Sequence, residues 1–112
     1  MNIFIIVFIT LFLILCWGTP TEGITTNFKV SIVDIGFKPV DITIKVGDTV
    51  IWSNEDPIWH TVTSGEPLEP NGIFNSERLN SGDTFKYTFN EIGKYPYYCI
   101  PHPWMIGTII VK

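Results

Sequence analysis

The sequence predicts a small all-β sandwich of about seven to eight strands, and three features of its 112 residues support this class. Apolar and polar residues alternate with a period of two in several short runs, which is typical of half-buried strands. From Asn27 onward this period replaces the 3.6-residue period of a helix. Gly, Pro and Asn punctuate the runs at short intervals, as turns do in a series of hairpins.

Seven runs fit strands in this pattern. Phe28, Val30 and Ile32 alternate with polar residues in the first run, and the later runs are rich in β-branched and aromatic residues. Residues 65–76 hold several Gly and Pro turn signals, so we expect a long surface connection there, with room for a short helical turn. A shorter loop is expected at 101–103. The runs cover residues 28–32, 42–46, 49–53, 59–64, 84–89, 94–99 and 107–111.

The first segment is apolar and is predicted to be an export signal or a membrane anchor. Residues 3–17 carry no charge and include one polar residue, Thr10. As a helix they would extend about 22 Å, short of the ~30 Å hydrocarbon core but within the range of a signal peptide. Small residues before Ile24 suit cleavage after Gly23. The missing Lys or Arg before the apolar run keeps an uncleaved anchor as the alternative.

We therefore expect two parts, a signal peptide or anchor at residues 1–23 and one domain at residues 24–112. The domain is long enough to bury a core without disulfides. It is expected in the periplasm or on the extracytoplasmic face of a membrane, where an anchor at residues 3–17 would hold it. Cleavage would leave Cys99 as the only thiol of the domain. An unpaired thiol is prone to oxidation in an oxidising compartment, so we expect Cys99 to have a specific role.

The charge of the chain excludes one class of partner. The formal net charge is −4, and the seven Lys and Arg residues are scattered singly. Nucleic acid binding needs a clustered basic surface that neutralises phosphates, so no nucleic acid partner is expected. Contact with a membrane is expected only through the N-terminal segment, and the domain is expected to be a monomer.

The residues that carry chemistry lie near the end of the chain. Cys99, His102 and Met105 recur at three-residue intervals between two predicted strands, and His60 lies upstream. One thiolate, two imidazoles and one thioether form a soft ligand set that suits copper, whereas zinc rarely binds a thioether. This set takes up the only thiol, both histidines and the only Met of the 24–112 domain, so chance is a poor explanation.

The ligand loop, Cys99-Ile100-Pro101-His102-Pro103-Trp104-Met105, resembles that of the cupredoxins of the amicyanin and plastocyanin type. The resemblance covers roughly residues 27–112 and implies a Greek-key β-sandwich that binds one type 1 (blue) copper ion. By position it implies His60, Cys99 and His102 as the trigonal ligands and Met105 as the long axial ligand.

One residue departs from the family pattern. Amicyanin and plastocyanin carry Asn after the first His ligand, where its side chain ties the two ligand loops together, and here Thr61 takes its place. Whether the Thr61 hydroxyl substitutes is open at this stage. The resemblance also places His102 near the surface beside Trp104, where a redox donor and acceptor would dock.

The resulting hypothesis is one-electron transfer by one copper ion, Cu(I)/Cu(II), outside the cytoplasm. A copper-binding protein for delivery or storage in the cell envelope is the alternative, and a metal-free interaction module is a third possibility. An enzyme is not expected, because multicopper oxidases and copper nitrite reductases need more histidines than the two present here. Pro101 has no backbone N–H to donate to the Cys99 sulfur, so a moderate reduction potential is expected.

Overall fold

The computed structural model describes residues 24–112, which form nine strands, and this confirms the all-β prediction. Across residues 24–112 we find no helix that could cross a membrane. The predicted signal or anchor at residues 1–23 lies outside the described residues. The strands are β1 (Asn27–Val33), β2 (Gly36–Lys38), β3 (Asp41–Ile44), β4 (Thr49–Asn54), β5 (Thr63–Glu66), β6 (Glu69–Asn75), β7 (Thr84–Thr88), β8 (Gly93–Cys99) and β9 (His102–Val111).

The strands form two sheets with crossover connections. The four-stranded sheet has the order β2-β1-β4-β7, and the five-stranded sheet has the order β3-β9-β8-β5-β6. β1 runs parallel to β4, and β3 runs parallel to β9. Four of the paired neighbours, β1/β4, β4/β7, β3/β9 and β5/β8, are not consecutive in sequence, and such crossovers are typical of a Greek-key sandwich.

Aromatic side chains from both sheets fill the space between them. Trp52 on β4 is fully buried, and its ring centroid lies 5.4 Å from that of Tyr97 on β8. Phe74 and Phe85 lie 5.7 and 5.6 Å from Trp52. Burying one such side chain contributes about 2–3 kcal/mol, and this shared cluster therefore fixes how the two sheets pack.

The expected long connection at residues 65–76 does lie at the surface, but it is mostly a strand and forms no helical turn. β6 occupies most of this segment and pairs with β5. Its pattern was missed because Phe74 is the one buried residue of β6. As an edge strand it also tolerates Pro70, which cannot donate to a ladder. β2 is too short to show any period, and β9 begins at His102 rather than at residue 107.

The ends of the sandwich differ in what they carry. Cys99 lies opposite His102 at one end of the β8–β9 pair, and Gly93 lies opposite Val111 at the other. We call these the site end and the far end. The chain enters β1 at the far end. Asn27, the first residue of β1, pairs with Thr49, and the amide of nearby Val46 donates a hydrogen bond to the carbonyl oxygen of Lys112.

Candidate metal centre

Three predicted ligands converge at the site end. The Sγ atom of Cys99 lies 3.6 Å from Nδ1 of His60 and 3.6 Å from Nδ1 of His102. The three donor atoms all lie within 4.8 Å of one another. His60 and Cys99 are fully buried, whereas His102 is partly exposed. The structure therefore brings together residues that are up to 42 positions apart in sequence.

Backbone pairing positions each of these side chains. Cys99 ends β8, and a register shift between Tyr98 and Cys99 places Cys99 opposite His102 at the start of β9. Such a bulge re-aims side chains at the end of a ladder. His60 lies outside the strands but forms a bridge with Leu79, with N···O distances of 3.0 and 2.8 Å.

The loop that leads to His60 is held by side chains that the sequence analysis missed. Asn54, at the end of β4, donates to the carbonyl oxygens of Ile58 and Leu79 at 2.9 and 3.0 Å and accepts from the amide of Asp56 at 3.0 Å. The Asn-x-Asp spacing after a predicted strand is typical of a turn in which side chains bond the local backbone. That spacing is the signal that could have identified both residues.

Asp56 contacts the buried histidine directly. Its Oδ2 atom lies 2.8 Å from Nε2 of His60. Burial alone would raise the pKa of Asp56, but hydrogen bonds from the Ile35 amide, the His60 ring and the Asp34 amide together lower it. An ionised carboxylate accepts, so Nε2 of His60 is the donor. The other ring nitrogen, Nδ1, faces the Cys99 sulfur and is the one left for a metal.

Thr61 takes over the role of tying the ligand loops together. Its hydroxyl oxygen accepts a hydrogen bond from the amide of Ile100 at 2.9 Å. The amide of Thr61 donates to Sγ of Cys99 at 3.3 Å. The Thr61 hydroxyl also lies 2.9 Å from that of Thr63, whose hydroxyl donates to Asn75 at 3.2 Å. The question that the sequence left open is answered in favour of the hydroxyl.

The donor set fits a metal ion with soft ligands. Burial raises the pKa of the Cys99 thiol, and the hydrogen bond from the Thr61 amide offsets this only in part. A metal bound there would replace the thiol proton. The 3.6 Å separations between the sulfur and the two nitrogens would let all three donors bind one shared ion.

The remaining residues of the ligand loop divide between the core and the surface. Met105 is buried on the inward face of β9, within the core cluster. Trp104 points outward, is 70% exposed, and has its ring centroid 5.3 Å from that of His102. Ile100 is also exposed. The rim around His102 is therefore apolar.

Comparisons with known proteins agree with this site. The profile of copper-binding proteins of the plastocyanin/azurin family matches residues 24–112. An amicyanin of Paracoccus versutus is 38% identical over 72 residues, which are 64% of this chain and 54% of that protein. Amicyanin-alpha of Methylorubrum extorquens is 34% identical over 93 residues, which are 81% of this chain and 76% of that protein.

A solved structure shows the same fold. A purple cupredoxin from Nitrosopumilus maritimus superposes with a TM-score of 0.70 at 34% identity, and the match covers 76% of this chain and 99% of that one. The match to the Paracoccus versutus protein spans only about half of that relative's length. The matched profile, the sandwich and the converging donors lead to one conclusion: this chain belongs to the plastocyanin/azurin family of copper-binding proteins.

Proposed function

We propose that the protein transfers single electrons through one type 1 copper ion held by His60, Cys99 and His102, with Met105 as the axial ligand. The observation that carries the proposal is the convergence of two imidazole nitrogens on one thiol sulfur at 3.6 Å each. When bound, copper supplies the one-electron change between Cu(I) and Cu(II). The inward direction of Met105 on β9 supports its role.

The surrounding bonds suit this function because they hold the donors in place without a metal. His60 is fixed by its bridge to Leu79 and by Asp56, and Cys99 by the Thr61 amide. Cu(I) and Cu(II) prefer different geometries, so a rigid donor set limits rearrangement when an electron arrives or leaves. A copper-delivery protein, in contrast, has to release its ion.

The first experiment is spectroscopic. Residues 24–112 receive one equivalent of Cu(II), and visible absorption and electron paramagnetic resonance spectra are recorded before and after ascorbate. We expect an intense thiolate-to-copper band and narrow hyperfine splitting, both lost on reduction and regained on oxidation with copper retained. Cys99→Ser is the control and removes the band. A colourless protein, or an ordinary tetragonal copper signal, would refute the proposal.

We further propose that redox partners dock at the apolar rim around His102 and Trp104. A rim of this kind suits brief encounters because little polar surface has to be desolvated. Trp104→Ala is expected to keep the copper spectrum and to slow electron exchange. Ile92→Ala is the matched control, since Ile92 is an exposed apolar residue beside Gly93 at the far end. Equal slowing by both variants would contradict docking at Trp104.

The proposed location is outside the cytoplasm, and the apolar segment at residues 3–17 supports it. Expression of the full chain in a bacterial host, followed by fractionation and N-terminal sequencing, tests this. A mature protein that begins at Ile24 would establish cleavage, and an intact chain in the membrane fraction would establish the anchor. Recovery of the intact chain in the cytoplasmic fraction would refute export.

A further inference from the structure

The carboxylate of Asp56 connects the buried histidine to a surface turn. Its Oδ1 accepts from the amide of Asp34 at 2.8 Å, and its Oδ2 accepts from the amide of Ile35 at 2.9 Å. The same Oδ2 atom meets Nε2 of His60 at 2.8 Å. Asp56 itself is 6% exposed. One buried side chain thus takes three hydrogen bonds from two parts of the chain that are far apart in sequence.

The turn between β1 and β2 adopts a backbone conformation that its residues disfavour. Asp34 and Ile35 both have φ of 52°, in the left-handed region. A two-residue hairpin turn with positive φ at both positions favours Asn-Gly or Asp-Gly, and a β-branched residue such as Ile is a rare occupant. Such a conformation persists only when its surroundings hold it. The two bonds to Asp56 provide this restraint.

We propose that Asp56 is a positioning residue that holds His60 with its proton on Nε2 and couples the ring to the β1–β2 turn. The role rests on the proposed function, because the orientation matters for a metal at Nδ1. Ile35 and His60 share one acceptor atom, so a displacement of the turn alters the hydrogen bond to the ring. Ile35 is 44% exposed, and the turn therefore offers a surface contact two hydrogen bonds away from a ligand.

The first test needs no copper. In the metal-free full chain in detergent micelles, long-range ¹⁵N–¹H correlation spectra report which ring nitrogen of His60 is protonated. We expect Nε2–H in the wild type and a gain of Nδ1–H in Asp56→Asn. Amide exchange at residues 34 and 35 is expected to accelerate about tenfold in this variant, the effect of one lost hydrogen bond. A wild-type ring protonated on Nδ1 would overturn the proposal, even if no variant folds.

The second test uses the copper-loaded chain. A carboxylate bonded to a ligand imidazole favours Cu(II), so Asp56→Asn is expected to raise the reduction potential. Glu55→Gln is the matched control: it removes a neighbouring negative charge that faces Lys29 instead of His60, and it should shift the potential less. Equal shifts in both variants would reduce the role of Asp56 to its charge and contradict the proposal.

The variant Ile35→Gly distinguishes the effect of the contact between Asp56 and His60 from the effect of the β1–β2 turn. It relieves the disfavoured φ while leaving Asp56 in place. If adding Ile35→Gly to Asp56→Asn restored both the tautomer and the potential, Asp56 would act only by holding the turn, and the proposal would fail. If no copper binds to the wild type, the proposed function fails, whereas the metal-free tautomer still decides the role of Asp56.

Discussion

The hydroxyl of Thr61 accepts a hydrogen bond from the backbone amide of Ile100 at 2.9 Å. This bond joins the segment that carries His60 to the loop that carries Cys99 and His102. Since Thr61 also donates its amide to the Cys99 sulfur, one short residue fixes both the spacing of the loops and the position of the thiol. Thr63 and Asn75 extend the chain of hydrogen bonds across β5 to β6.

Replacing Thr61 by Val tests this connection, because Val keeps the shape and removes the oxygen. The Ile100 amide would lose its partner, and we expect a loss of about 1–3 kcal/mol in the free energy of unfolding of the metal-free protein. Urea denaturation measures the change. Thr61→Ser is the control and should retain most of the stability, whereas equal losses in both variants would show that the methyl group matters instead.

Replacing Pro101 by Ala is expected to raise the reduction potential of the copper-loaded protein. The variant restores the backbone N–H of residue 101, and a hydrogen bond from it to the Cys99 thiolate would weaken the donation of the thiolate to Cu(II). A hydrogen bond of about 0.5–1.5 kcal/mol corresponds to roughly 20–60 mV for one electron. Redox titration gives the value. Pro103→Ala is the control with the same chemical change farther along the loop, and an unchanged potential in Pro101→Ala would disprove the idea.

Gly107 on β9 is expected to tolerate no side chain. A Cβ atom there would overlap the phenol ring of Tyr97, which is buried against Trp52. We expect Gly107→Ala to lower the free energy of unfolding by about 1–3 kcal/mol, the usual cost of overpacking a core. At Gly36 an added Cβ meets only ordinary contacts, so Gly36→Ala is the matched control. Thermal unfolding of the two variants compares them, and equal stability would contradict the packing argument.

Asp48 is expected to make stability depend on pH in the acid range. Hydrogen bonds from the amides of Thr26 and Lys45 lower the pKa of this carboxyl below its ordinary value of about 3.8. The stabilisation is therefore present above that value and disappears as the pH falls through the lower pKa of the folded state. Asp48→Asn should be less stable than the wild type near neutral pH, and the difference should narrow below about pH 4.

Urea denaturation of the metal-free protein over a pH series measures this difference. Glu69→Gln, which changes an exposed carboxylate of β6, is the control and should show no comparable trend. A gap between wild type and Asp48→Asn that stays constant into acid would show that the carboxylate is not the cause.

Much of this candidate site could be predicted from the sequence because most of its residues lie close together along the chain. Cys99, His102 and Met105 fall within seven residues, and the strands that flank them have clear alternation. His60 was found by its chemistry, since few soft ligands exist in the domain. The all-β class followed from the same alternation, which survives wherever one face of a strand is buried.

The parts that escaped prediction depend on contacts between distant segments. The hydrogen bonds that Asp56 accepts from the amides of residues 34 and 35 exist only because β1 and β4 lie side by side, which a period of two cannot reveal. β6 was hidden because an edge strand with one buried residue has almost no hydrophobic pattern. The presence of Thr61 where the family has Asn was visible in the sequence. Whether its hydroxyl ties the two ligand loops together depends on the 2.9 Å hydrogen bond from the Ile100 amide, which the sequence does not encode.

The separation of the site end from the far end has a practical consequence. The backbone of Lys112 is bonded to Val46 at the far end, while His102 and Trp104 lie at the other end of β9. A linker attached after residue 112 would therefore fix the domain to an electrode with the ligand loop directed into solution. Voltammetry on such a film would record electron exchange with soluble partners at an unobstructed surface.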